Sequence, residues 1–117
     1  MPVAMDPERF DALVNKALDG IPAELAELVR NVVVLVEAEA PPEDPDLLGL
    51  YDGVALTERT HDMLPELPDR IFIYRNNLLD MCASEEELVD EVRITVVHEV
   101  AHHFGINDQR LHELGYA

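Results

Sequence analysis

Ser84-Glu85-Glu86-Glu87-Leu88-Val89-Asp90-Glu91-Val92-Arg93-Ile94-Thr95-Val96-Val97-His98-Glu99-Val100-Ala101-His102-His103-Phe104-Gly105 is the stretch on which the fold turns. Two signals in it conflict. The β-branched crowd from Val92 to Val97 is made of poor helix formers and points to a strand. Against it, Ser84 with Glu87 three residues later is a capping box, and Glu85, Glu86 and Glu87 suit the positive end of a helix dipole. Val89, Val92, Val96, Val100 and Phe104 then fall on one apolar stripe at helical spacing. The cap and the long stripe outweigh local propensity, so the reading is a helix that Gly105 ends.

Working outward, Arg70 to Arg75 (Arg-Ile-Phe-Ile-Tyr-Arg) reads as a strand and is expected to close at Asn76-Asn77. Asn31 to about Glu39, crowded with valines, reads as a strand buried on both faces. Ala40 to Asp46, rich in proline and acids, is a loop expected to cross over the sheet. Gly49 to Gly53 reads as a turn and Val54 to Thr57 as a short strand, with Pro65 and Pro68 punctuating the next connection. Toward the N-terminus, Asp6-Pro7 is a helix start with Asp6 as N-cap. Phe10, Leu13, Val14, Ala17 and Leu18 supply its buried face, and Gly20 stops it. Pro22 opens a second helix in which Ile21, Leu25, Leu28 and Val29 face inward. Asp108 to Leu114 reads as a last short helix or turn. Helices flanking a small, few-stranded sheet make the class α+β, and residues 1–117 suit one domain.

Charge is the strongest compositional signal: 25 acids against 8 bases give a formal charge of -17. Such a field repels phosphate backbones and anionic membranes, so neither nucleic acid nor membrane is expected as a partner. It attracts cations and basic peptides, although solubility alone explains it as well. Cys82 is the single cysteine, which excludes an internal disulfide. The opening Met-Pro-Val-Ala-Met-Asp lacks the basic and apolar regions of a leader, and the apolar run Val32 to Val36 is too short to span a bilayer. The expectation is a cytoplasmic protein.

The chemistry lies in His98-Glu99-Val100-Ala101-His102-His103-Phe104-Gly105-Ile106-Asn107-Asp108. Residues four apart on a helix point the same way, so His98 and His102 can grip one ion. Glu99 lies about 100° round the helix, off the metal but within reach of a water held there, as a general base needs. Gly105 allows the chain to reverse, which would bring Asp108 back as a third ligand. Two imidazoles and one carboxylate leave a fourth position for water, the pattern of a catalytic zinc. H-E-x-x-H alone occurs by chance; the extension H-E-x-x-H-x-x-G-x-x-D adds a turn glycine and a third ligand in place.

Beyond the motif, Leu48-Gly49-Leu50-Tyr51-Asp52-Gly53, Leu56-Thr57-Glu58-Arg59, Arg70-Ile71-Phe72-Ile73-Tyr74-Arg75 and the block from Glu91 to Ile106 carry a resemblance. The chain resembles the small bacterial zincin-like metallopeptidases, a family with a minimal metalloprotease fold. That resemblance implies an α+β zincin core, zinc held by His98, His102 and Asp108, and Glu99 as base; it names no substrate, and a peptide or protein is expected. The metzincins are a looser likeness. They carry a methionine turn after the third ligand, and no methionine follows Asp108 here.

On this reading Glu99 takes a proton from water and passes it to the leaving amine, while a strand, Arg70 to Arg75, holds an extended peptide by edge pairing. Two rivals stand beside it: a catalytically silent metal-binding module, and a zinc hydrolase acting on RNA. Intact Glu99 opposes the first, and the charge opposes the second. Other residues have blander readings. His103 points away from His102 and is solvent-facing or supports a ligand; His112 could share the face of Asp108. Glu113 is a rival carboxylate, His61 a surface histidine, Cys82 a buried thiol, and Tyr74 strand packing. Arg59, Arg70 and Arg75 are free to pair with acids.

Overall fold

The computed structural model describes residues 5–29, 32–53 and 69–113, the side chain of Asp108 excepted. The expected strand Val54–Thr57, along with Arg59, His61, Pro65 and Pro68, lies outside them. Helix α1 spans Pro7–Asp19 and buries Phe10, Leu13, Val14 and Ala17, the face its spacing predicts. Asp6 is its N-cap and Pro7 its first residue, as expected. Its carboxylate makes no capping hydrogen bond; its backbone carbonyl accepts from the Phe10 N–H at 3.0 Å. Gly20 ends α1, and its bare Cα leaves room for the guanidinium of Arg93 to cross. Helix α2, Ala23–Val29, is docked by Leu25 and by the preceding Ile21.

Among the described residues three strands form one sheet: β1 (Val32–Glu37), β2 (Gly49–Asp52) and β3 (Asp69–Tyr74), in the order β1-β3-β2. β1 runs parallel to β3, with Val34 opposite Ile71 and Val36 opposite Ile73. β2 runs antiparallel on the other side of β3, with Tyr51 opposite Ile71 and Gly49 opposite Ile73. The segment between β1 and β2 therefore crosses the end of the sheet, as expected. Asn77 holds it there, donating through Nδ2 to the carbonyls of Pro45 at 2.8 Å and Leu47 at 2.7 Å.

Four expectations are corrected. Gly49–Asp52 is strand β2, because pairing with β3 satisfies its backbone where a turn was read. β1 is not buried on both faces. Among the described residues it lies at the edge of the sheet, with Val32, Val34 and Val36 packed on the core while Val33 and Leu35 remain 40% and 37% exposed. β3 is the central strand, so both its edges are occupied and it cannot pair with a peptide. Nor do Asn76-Asn77 close β3 as a turn: helix α3 begins at once, over Arg75–Met81, and buries Leu78.

Helix α4, Glu85–Phe104, is the spine of the molecule. The Ser84 hydroxyl accepts from the Glu87 N–H at 3.1 Å, as the capping signature predicts. Arg9 of α1 forks onto Glu85, at 2.7 and 3.1 Å. Leu88, Val89, Val92, Thr95, Val96, Val97, Val100 and Ala101 are buried, far more than one stripe. α4 packs against α1, α3, β2 and β3, and burial from several sides is why its valines stay helical despite their propensity. Phe104 is the exception to the expected stripe. It lies beyond the core and is 47% exposed. Helix α5, Asp108–Glu113, follows. Among the described residues no helix is long and apolar enough to cross a membrane.

Candidate metal centre

His98 and His102, one helical turn apart, both lie off the buried residues of α4, on an open strip near its C-terminal end. His98 is half-buried and His102 exposed. Their ring centres are 6.4 Å apart, with the planes tilted by 31°. Imidazoles sharing one zinc at about 2.0–2.1 Å hold their ring centres roughly 5–6 Å apart, so small side-chain rotations let this pair close on an ion. Glu99, the next residue along the helix from His98, is half-buried.

The donor chemistry fits zinc. Nitrogen and carboxylate donors are the set that borderline metals favour. The one thiol is out of play: Cys82 is 1% exposed, and burial, with the charges of Glu87 and Glu91 adding to it, pushes its pKa up to about 11. That bears out its reading as a buried thiol. Among the described residues no third His, Cys, Asp or Glu joins the two histidines at metal-binding distance. The side chain of Asp108, the expected third ligand, lies outside the described residues.

The path to Asp108 is built link by link. Gly105 takes the left-handed conformation, φ 73° and ψ 22°. Its N–H donates to His102 O at 3.4 Å, and the Ile106 N–H donates to Ala101 O at 2.8 Å. This is the Schellman closure, in which the final carbonyls of a helix are satisfied by the reversing chain. Asn107 then caps α5, its Oδ1 accepting from the Arg110 N–H at 2.8 Å. Leu111, 2% exposed, pins α5 to the core. Arg110 ties α5 to α2 through Glu24 and also bonds Glu113 at 3.0 Å. Glu113, the rival carboxylate, is thus engaged by a guanidinium, and His112 is exposed. Asp108 opens α5 immediately after its cap.

One group near the centre escaped the sequence reading. His103 does turn away from the open strip, but it is not merely solvated. Its ring stacks on Tyr51 of β2, centres 3.9 Å apart and planes within 14°. The Tyr51 hydroxyl donates to Asp69 Oδ2 at 2.6 Å, and His103 Nε2 stands 3.8 Å from the same oxygen. Phe104 meets His103 edge-on at 5.0 Å. Arg70 pairs with Asp52 and lies over Phe72, as its pairing role suggested. Tyr74, 4% exposed, is strand packing at the end of β3. Burial raises its pKa first of all, and the charges of Glu37, Asp52, Glu43 and Glu99 add to this, so its phenol stays protonated.

The family model for zincin-like metallopeptidases matches residues 24–116. Among solved structures, a conserved hypothetical protein from T. thermophilus shares the fold, with a TM-score of 0.57 and 24% identity. The likeness covers 86% of this chain and 94% of that one. No curated protein matches.

Proposed function

From the premise that the chain belongs to the zincin-like metallopeptidase family, we propose that it is a zinc-dependent peptidase: His98, His102 and Asp108 hold the ion, and Glu99 is the general base. The observation that carries this reading is the pair of imidazoles on the open strip of α4, with Glu99 next to His98 along the helix. Zinc bound there supplies Lewis acidity, polarising a scissile carbonyl and making water a better nucleophile near neutral pH.

The chain's own residues do the rest. His98 and His102 present their rings from adjacent turns of α4, the first half-buried beside the core and the second exposed at the helix end. Glu99 cannot ligate from its angle. It takes a proton from the attacking water and returns it to the leaving amine. Among the described residues β2 has no partner on the side away from β3. An extended peptide adding to that edge would lie on the strand against which α4 packs, a placement β3 cannot offer.

Elemental analysis and a matched variant test the reading. About one zinc per chain is expected in protein purified without chelator. Glu99→Gln should keep the metal and lose peptide hydrolysis, and Asp108→Ala should weaken zinc where Glu113→Ala does not. Protein that binds no transition metal when zinc is supplied would overturn the reading. Zinc binding with equal inertness of wild type and Glu99→Gln toward a broad peptide library would leave a silent metal-binding module.

A further inference from the structure

The last turn of α4 carries His102, yet it projects past the core. Ala101 is fully buried, whereas His102, His103 and Phe104 are all exposed. A final helical turn with exposed side chains frays readily, because its backbone hydrogen bonds are few and open to water. The Schellman closure holds its carbonyls but does not tie the turn to the sheet. The contacts that do so converge on Tyr51 of β2: Phe104 meets it edge-on with ring centres 6.4 Å apart, and the closer contact comes from His103. Its ring lies flat on Tyr51, and Tyr51 is itself fixed at its far end by the hydroxyl bond to Asp69 across the β2–β3 pair. The close fit continues at Gly53: a Cβ there would stand 2.9 Å from His103 Cε1 and 3.2 Å from Tyr51 Cε1. Neighbouring strands and the helix end thus meet at one aromatic cluster, with glycine at a place where a side chain would crowd it.

We propose that Tyr51, Asp69 and His103 form a clamp that holds the last turn of α4 on the β2–β3 pair and so sets the position of His102. His103 is a positioning residue in this arrangement, acting through the helix turn. Its flat ring is what matters, since Nε2 at 3.8 Å is too far from Asp69 for a hydrogen bond. The consequence for zinc rests on the reading of the site above; the consequence for the helix turn does not.

The test pairs two measurements on the full chain. In metal-free protein, amide hydrogen exchange reads the opening of the turn at His102, His103, Phe104 and Gly105. In zinc-loaded protein, competition with a chelator reads zinc affinity. His103→Ala should speed exchange at those amides by at least about tenfold while the amides of Val92 and Val96 keep their protection. It should weaken zinc by about 10- to 100-fold, the range seen when a ligand's supporting partner is lost. His103→Phe keeps a flat ring and should restore both to within about threefold. Gly53→Ala, which leaves every clamp residue in place but crowds the stack, should follow His103→Ala. Unchanged exchange in His103→Ala and Gly53→Ala overturns the clamp. So does a His103→Phe that loses zinc as badly as His103→Ala, which would make the imidazole itself a ligand. If wild-type protein binds no zinc, the peptidase reading falls and the exchange arm alone decides the clamp.

Discussion

Gly49→Ala isolates the packing of β2 against α4, on which the site's placement depends. Gly49 is buried, and among the described residues only Gly105 is a glycine with positive φ, so backbone strain plays no part. Space does. A Cβ at Gly49 would stand 2.7 Å from Thr95 Cγ2 and 3.0 Å from the Phe72 carbonyl oxygen, with Ile73 Cδ1 at 3.6 Å. Thr95 is 8% exposed and lies in the middle of α4, so its methyl has little room to retreat. Overpacking of this kind costs about 1–3 kcal/mol. Removing a glycine from the unfolded chain offsets about 0.4–1 kcal/mol of that. A net loss of about 1–2 kcal/mol follows, which for a domain of this size lowers Tm by roughly 4–10 °C.

Urea unfolding with an unchanged m-value is the assay. The double-mutant cycle with Thr95→Ser sharpens it, because Ser lacks the methyl that clashes. Gly49→Ala should cost less than about half as much in the Thr95→Ser background, the remainder reflecting the Phe72 carbonyl, which cannot move without breaking the sheet. Neutral or stabilising Gly49→Ala, or an undiminished cost beside Thr95→Ser, would refute the close approach of β2 and α4.

Gly105→Ala should destabilise by about 1 kcal/mol through its positive φ alone, since nothing lies within 4 Å of the added Cβ. Gly105→Asn, tolerant of the left-handed region, should lose less, and thermal melts of the three proteins check the order. Cys82 makes stability fall with rising pH. Its folded pKa of about 11 lies above the ordinary value of 9.0, so the folded state keeps the proton longer than the unfolded state does. The contribution is complete below about pH 9 and is lost toward about pH 11, at up to about 1.4 kcal/mol per pH unit. Subtracting the urea stability curve of Cys82→Ala from that of wild type across this range should reveal the slope, and a flat difference would count against it.

What was legible in the sequence was what depends on near neighbours. α1 announced its buried face through Phe10, Leu13, Val14 and Ala17, and α4 its start through Ser84 and Glu87. Both signals act within a few residues along the chain. β2 was not legible, because Gly49, Asp52 and Gly53 carry turn chemistry and only pairing with β3, some twenty residues away, makes the segment a strand. The same remoteness hid the position of β3. Arg70 to Arg75 reads equally well as edge or centre, and its place between β1 and β2 is a fact of topology. Helix α3 was masked by Asn76-Asn77, whose turn-like character is used instead to bind the crossing loop through the side chain of Asn77.

The site divides along the same line. His98, Glu99 and His102 could be placed from helical geometry alone, and Gly105 from its need for positive φ, because each argument spans a turn or two. The surroundings of His103 could not. Spacing says only that it points some 100° from His102; it does not say what stands there. Tyr51 stands there because Gly49 lets β2 approach α4 and because Asp69, at the start of the strand beside it, holds the phenol in place. The motif therefore specifies which side chains share one face of α4, while contacts between residues about fifty positions apart specify what packs beside them. Asp108 shows the boundary between the two: local rules carry the chain through Gly105, Ile106 and Asn107 to the first position of α5, and its docking rests on Leu111 in the core and Arg110 on Glu24.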